Sequence, residues 1–216
     1  MIKEIFPTRY WEAEFPNFDL IKDDMVAEVK GLFDENLELF SKHRLFNNSY
    51  SLEGTEEGMY RDLHLRLKNQ EVIEFIKDNV KQYWDSLDYT KHITPEIYHM
   101  WANLTPKGGN IIHHNHNPFE IAGSFYLDSS PEQGCLAFVN PNEAVLGRLP
   151  IYDSQESKQG RFFFDHIVTP KPGKLVLFPG WLYHKTQKNT TDNPRMVLGL
   201  NAGLTSYNLP PPPMTS

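Results

Sequence analysis

The sequence predicts a mainly β fold of the α+β kind, a jelly roll or double-stranded β-helix with N-terminal helices packed against it. Three observations predict it. From Pro95 onward the apolar residues change from helical spacing to short runs punctuated by Gly, Pro and Asn. The aromatic residues, 13% of the chain, gather in that half in segments such as IYHMWANL, SFYLD, RFFFDHIV and LVLFPGWLYH, an enrichment typical of strands. Ahead of them lie two segments with helical periodicity. At 216 residues the chain fits one domain: helical support with an N-terminal strand over 1–94, a jelly-roll core over 95–204 and a Pro-rich tail over 205–216.

The first helix is expected over about 19–43, where Leu20, Ile21, Met25, Val29, Leu32, Phe33 and Phe40 recur near helical spacing. The polar, Gly-bearing stretch NNSYSLEGTEEGMYRD reads as a loop. Asn69 is a good N-cap for a second helix, whose stripe is Val72, Ile73, Ile76, Val80, Trp84 and Leu87. Eight strands are expected, over 96–104, 111–116, 121–128, 134–139, 162–168, 174–178, 181–187 and 195–202. Eight short strands with this punctuation suit a double-sheet sandwich or jelly roll. The segment 141–160 is too long for an ordinary hairpin loop and reads as a lid, a binding loop or disorder. The tail NLPPPPMTS cannot continue a sheet, because proline lacks the donor N–H; it is expected to lie extended on the surface.

Composition excludes several function classes. A net charge of −7, with no run among the 21 Lys and Arg, argues against a nucleic-acid surface, since neutralising phosphates needs clustered cations. Cys135 is the only cysteine, so an intrachain disulfide and a Cys-rich zinc module are excluded, and the compartment is read as reducing and cytoplasmic. No run approaches the roughly 18 apolar residues needed to span a bilayer, and the N-terminus has no signal-peptide h-region. The expected partner is a small-molecule or peptidyl substrate, and a homodimer is left open.

The chemistry centres on HHNHNPF, which places three imidazoles within four residues. Side chains alternate along an extended strand, so His114 and His116 point to one side and His113 and Asn115 to the other. A His-x-His pair offers two imidazoles to one metal, although exposed histidines also occur in pairs. His184, in FPGWLYHKT, is the candidate third ligand. Arg195 shares a strand face with Val197, Gly199 and Asn201; a buried Arg needs an anion, and a bidentate carboxylate clamp is one way to satisfy it. His43, His64, His99 and His166 read as ordinary polar side chains, Cys135 as a small core residue, and Trp101 and Trp181 as barrel walls.

The ordered set His-x-His, Tyr126, His184, Arg195 resembles the iron(II)- and 2-oxoglutarate-dependent oxygenases, and within them an oxygenase family related to prolyl 4-hydroxylases. The matching stretches are WANLTPKGGNIIHHNHNPFEIAGSFYLD, GCLAFVNP and PGKLVLFPGWLYHKTQKNTTDNPRMVLGLNAGL; the start EIFPTRYW also resembles the family's opening strand. The resemblance implies that His114 is the first ligand of the family's His-x-Asp motif and His184 the distal ligand. It further implies that Arg195 and Tyr126 hold the far carboxylate of 2-oxoglutarate, with Asn103 and Asn201 facing the same pocket.

The chain departs from the family where the acid should stand: that position is His116. A third neutral imidazole changes the site's charge by one unit relative to a 2-His-1-carboxylate triad. His116 ligates directly in the preferred reading; alternatively Glu120 swings in, or the metal site is lost and the protein is a binding module. His113 is expected to face away, with ligation in place of His114 as the alternative. The activity implied by the resemblance is that of an Fe(II) dioxygenase consuming O2 and 2-oxoglutarate, releasing succinate and CO2 and hydroxylating a C–H bond. The rivals are a cupin-like three-histidine dioxygenase without 2-oxoglutarate and a non-catalytic jelly-roll module.

Overall fold

The computed structural model describes residues 7–35, 44–45, 49–51, 62–89, 93–141 and 165–204. A short strand β1 (Trp11–Glu14) and a 3-10 turn (Phe18–Leu20) lead into α1 (Lys22–Glu35). Two small strands, β2 (Arg44–Leu45) and β3 (Ser49–Ser51), precede α2 (Leu63–Arg66) and α3 (Gln70–Ser86). The rest is β: β4 (Glu96–Thr105), β5 (Ile121–Asp128), β6 (Leu136–Val139), β7 (Asp165–Val168), β8 (Lys174–Pro179), β9 (His184–Thr186) and β10 (Arg195–Gly203). The large sheet runs β1-β8-β5-β10-β4-β3-β2 and the small one β7-β6-β9, with every strand pair antiparallel. This is the jelly roll the sequence predicts.

The second helix forms as expected: Asn69 Oδ1 accepts from the Val72 amide at 3.3 Å, and Val72, Ile73, Ile76, Val80 and Trp84 are buried. The first helix is shorter on its described side, starting at Lys22. Met25, Val29 and Phe33 are buried but Leu20 is 82% exposed, because it lies in the 3-10 turn and off the helical stripe. Two further expectations are corrected. The stretch read wholly as a loop contains β3, which pairs with β2 and with β4 and so extends the large sheet. Its polar residues carry no alternation signal, and backbone pairing to an existing strand edge suffices to order them. The strand expected over 111–116 is instead irregular backbone joined to β9 by one antiparallel bridge, His114 to His184. The expected strands at 134–139 and 181–187 are represented by the shorter β6 and β9, and the expected 162–168 strand by β7, its residues 162–164 lying outside the described ones. The lid or binding loop expected over 141–160 falls almost wholly, and the Pro-rich tail wholly, outside the described residues, as do residues 36–43.

Strand β10 divides the molecule. Met196, Leu198, Leu200 and Ala202 join Met25, Val29, Ile73, Ile76, Val80 and Trp84 in the core between the large sheet and the helices. Val197, on the opposite face, joins Tyr126, Ala122, Val176 and Phe178 of the large sheet and Leu136, Phe138 and Val168 of the small one. That second cluster fills the space between the sheets, beside the histidines. Among the described residues no helix is long and apolar enough to cross a membrane.

Candidate active site

Reciprocal backbone bonds fasten the irregular segment to β9: the His114 amide donates to His184 O at 3.0 Å and the His184 amide to His114 O at 2.9 Å. The His116 amide donates to Gly180 O at 2.8 Å. These bonds bring together residues some seventy positions apart in sequence. His114 and His116 are half-buried and His184 is buried, and one ring nitrogen from each lies within 4.8 Å of the other two. His113 points away and stacks on Tyr183, ring centroids 4.5 Å apart.

The ring tautomers follow from the hydrogen bonds. His114 Nδ1 lies 2.8 Å from Ile112 O, and His184 Nδ1 lies 2.9 Å from Leu182 O. A carbonyl only accepts, so each Nδ1 carries the proton and each Nε2 presents a lone pair. His116 Nε2 approaches His184 Nε2 to 3.3 Å. Two imidazole nitrogens bound to one metal at about 2.1 Å and at right angles would be about 3.0 Å apart, so the pair fits a shared cation. Burial pulls all three imidazoles below their ordinary pKa, His116 to about 4, and the neighbouring histidines push His116 and His184 the same way. They are therefore neutral near pH 7, the form a metal needs. Carbonyl-held Nδ1–H groups are also the usual outer support of metal-binding histidines.

Trp101 lies beneath the cradle, its indole stacked on His116 with centroids 5.8 Å apart and planes 24° from parallel. A wall was expected of it; contact with a candidate ligand was not. Glu120 is not in the cradle: its Oε2 accepts from the Leu204 amide at 3.2 Å, which removes the reading in which it replaces His116.

Arg195 is 2% exposed. Its Nη1 donates to Gly134 O at 2.7 Å and, more weakly, to Gln133 O at 3.5 Å; its Nη2 donates to Thr186 Oγ1 at 3.0 Å and Thr105 Oγ1 at 3.3 Å. All four acceptors are neutral, and among the described residues Nε has no hydrogen-bond partner. Gly134 has φ +99° and sits where a Cβ would collide with the Gln187 carbonyl, so only glycine brings its own carbonyl to the guanidinium so closely. Burial presses the Arg195 pKa down and the Tyr126 phenol up, and the Arg195 charge partly offsets the second effect. Tyr126 is buried on β5 opposite Val197 of β10. The bidentate fork expected of Arg195 is thus altered: neutral protein oxygens already engage both terminal nitrogens, leaving Nε–H as the unmatched donor.

Asn103 is half-buried on β4 opposite Val197, and Asn201 is buried on β10 opposite His99 and Ala122. The Asn201 carboxamide lies beside His116 and favours its protonated form, against the larger effect of burial. Sequence reasoning missed Thr105, Thr186, Gln133 and Gly134 around the guanidinium. Thr186 had one available signal, its place two residues beyond His184 and so on the same strand face.

This architecture defines a double-stranded β-helix with a histidine cradle at one end of the inter-sheet space and a buried guanidinium held by the same strands. Residues 99–201, a little under half of the chain, match the family model described as "Putative 2OG-Fe(II) oxygenase", so the jelly-roll core is similar to the 2OG-Fe(II) oxygenases. The three histidines able to hold a metal ion lie within the matched residues. No curated protein sequence matches the chain. Among solved structures, the carbocyclase SnoK from nogalamycin biosynthesis, described as non-heme and alpha-ketoglutarate dependent, is 10% identical with a TM-score of 0.59, over 90% of this chain and 79% of that one. A Pseudomonas putida prolyl-4-hydroxylase is 14% identical with a TM-score of 0.50, over 90% and 92%. HygX from Streptomyces hygroscopicus, with nickel and 2-oxoglutarate bound, is 14% identical with a TM-score of 0.51, over 92% and 84%. At these identities the likeness is one of fold.

Proposed function

We propose that the protein couples 2-oxoglutarate turnover to hydroxylation of an unactivated C–H bond in an amino-acid, peptidyl or small-molecule substrate, with release of succinate and CO2. His114, His116 and His184 hold the iron through their neutral imidazoles. When bound, iron and 2-oxoglutarate supply the oxidising chemistry with O2; the protein supplies position and a dry chamber. His114 and His184 keep their lone pairs aimed inward because Ile112 O and Leu182 O hold the Nδ1 protons. Trp101 braces His116 from below. The apolar residues between the sheets exclude water from the space beside the cradle.

The observation that carries this reading is the buried Arg195 guanidinium, whose hydrogen-bond acceptors among the described residues are all neutral and whose Nε is unmatched there. A buried cation is stabilised most by an anion, and the far carboxylate of 2-oxoglutarate is one; Tyr126 is the nearby phenol suited to donate to the same group. Asn103 and Asn201 share the Arg195 side of the large sheet and complete the proposed pocket. The prolyl-4-hydroxylase likeness makes a peptidyl or free amino-acid side chain the first substrate class to screen.

Calorimetric titration of the Fe(II)- or Mn(II)-loaded protein with 2-oxoglutarate tests this, alongside succinate formation in air. Binding is expected in the wild type and is expected to be lost in Arg195→Ala. Tight metal binding without 2-oxoglutarate affinity would instead make this a three-histidine oxygenase of the cupin-like kind.

A further inference from the structure

Thr186 occupies a junction that neither the cradle nor the anchor explains alone. It lies two residues after His184 on β9, so the two side chains share a face. Its Oγ1 accepts from Arg195 Nη2 at 3.0 Å and also from the Ile111 amide at 2.8 Å. Its own amide donates to Ile111 O at 2.9 Å. Ile111 begins the segment that delivers His114 and His116. One hydroxyl oxygen therefore ties together the strand of one metal ligand, the segment of the other two and the guanidinium.

The remaining acceptors around Arg195 do not have that connection. Gly134 and Gln133 precede β6, and Thr105 ends β4; only Thr186 lies on a strand that carries a candidate ligand. The distance from the cradle to the cation is consequently set at this hydroxyl. A keto diacid that spans the two must match that distance, whereas a short keto acid, with nothing to reach the cation, need not.

Resting on the proposed role of Arg195 as cosubstrate anchor, we infer that Thr186 is the positioning residue that fixes the anchor relative to the three-histidine cradle and so selects a five-carbon keto diacid over shorter keto acids. The residue touches neither metal nor substrate in this role; it acts through Arg195 and Ile111.

The test compares 2-oxoglutarate with pyruvate, which has the same keto-acid end and no far carboxylate, by calorimetry on the Mn(II)-loaded wild type, Thr186→Val and Thr186→Ser. Thr186→Val keeps the side-chain shape and removes the acceptor. It is expected to weaken 2-oxoglutarate by about tenfold or more, the usual scale for a lost hydrogen bond to a charged group, while pyruvate stays within about twofold. Thr186→Ser restores the oxygen and is expected to restore the preference. Equal weakening of both acids would assign Thr186 a general structural role and overturn the inference, as would no weakening of either. If Thr186→Val does not fold, Thr186→Cys, with a weak acceptor in place of the hydroxyl, carries the same comparison. A wild type that binds the two acids equally would overturn the Arg195 reading itself, a result distinct from the failure of Thr186.

Discussion

The two sides of β10 face interiors built on opposite terms. Toward the helices, Met196, Leu198, Leu200 and Ala202 meet a layer of hydrocarbon and aromatic rings. Toward the small sheet, Arg195 and Asn201 are buried with Nε and Oδ1 unmatched, and His184 lies across the chamber with its basicity suppressed. An unpaired buried polar atom typically costs about 1–3 kcal/mol, so the second interior is stabilising only to the extent that the first carries it. One side holds the fold; the other is kept poised for ligands it does not itself provide.

The sharpest way to separate the two is to remove a ligand. His114→Ala deletes a half-buried imidazole from irregular backbone, so metal binding and 2-oxoglutarate turnover are expected to be lost. The melting temperature of the metal-free protein should move by only a few degrees. Metal content after desalting, read beside a thermal melt, checks it. Stoichiometric metal retained by the variant would remove His114 from the cradle.

Leu198→Ala makes the reciprocal cut. Leu198 is fully buried among the helix-side residues, and truncating such a leucine costs about 2–5 kcal/mol. Denaturant titration should show that loss, while the folded fraction binds metal as tightly as the wild type. A fall in metal affinity of the same size as the stability loss would mean that the two interiors are not separable.

Acid acts on the chamber side. His114, His116 and His184 have native pKa values below the ordinary value near 6.5, His116 at about 4, so the unfolded chain binds more protons than the native one in that interval. The sign is that of a depressed histidine: stability is full above about pH 6.5 and falls as pH drops toward 4. His64, on α2, is lowered by burial too and adds to the loss from the helix side. A bound metal competes with protons only in the chamber, so melts with and without Mn(II) from pH 7 to pH 4.5 isolate its share. Parallel curves would assign the acid sensitivity to His64 and the general surface.

What was legible in the sequence follows the same division. Period-two alternation revealed both faces of β10, and the His-x-His spacing with His184 and Arg195 downstream pointed to the cradle and the guanidinium, because those residue types carry chemistry wherever they sit. Thr186 was legible only as a residue on the His184 face, since a hydroxyl gains its role only from what the fold brings within hydrogen-bond reach of it. The irregular backbone of 111–116 was not legible: its side-chain order mimics a strand, but its backbone bonds go to β9 at Ile111 and His114 and to Gly180. The β2–β3 pairing was hidden because a polar edge is stabilised by backbone bonds that leave no apolar pattern.

The smallest expected effect is at Gly199, where β10 touches the cradle through one ring. A Cβ there would lie 2.6 Å from Trp101 Cε2 and 2.7 Å from Cζ2, well inside contact distance, and the indole it would displace stacks on His116. Overpacking of this kind typically costs about 1–3 kcal/mol, so Gly199→Ala should lower the melting temperature modestly. If Trp101 positions His116, the metal affinity of the folded variant should also fall by about tenfold, the low end for changes to the supports of a ligand. Competition with a chelator of known affinity measures that term apart from stability. A destabilised variant with wild-type metal affinity would make Trp101 a wall of the barrel and nothing more, and would place the division between the two interiors at the β10 backbone.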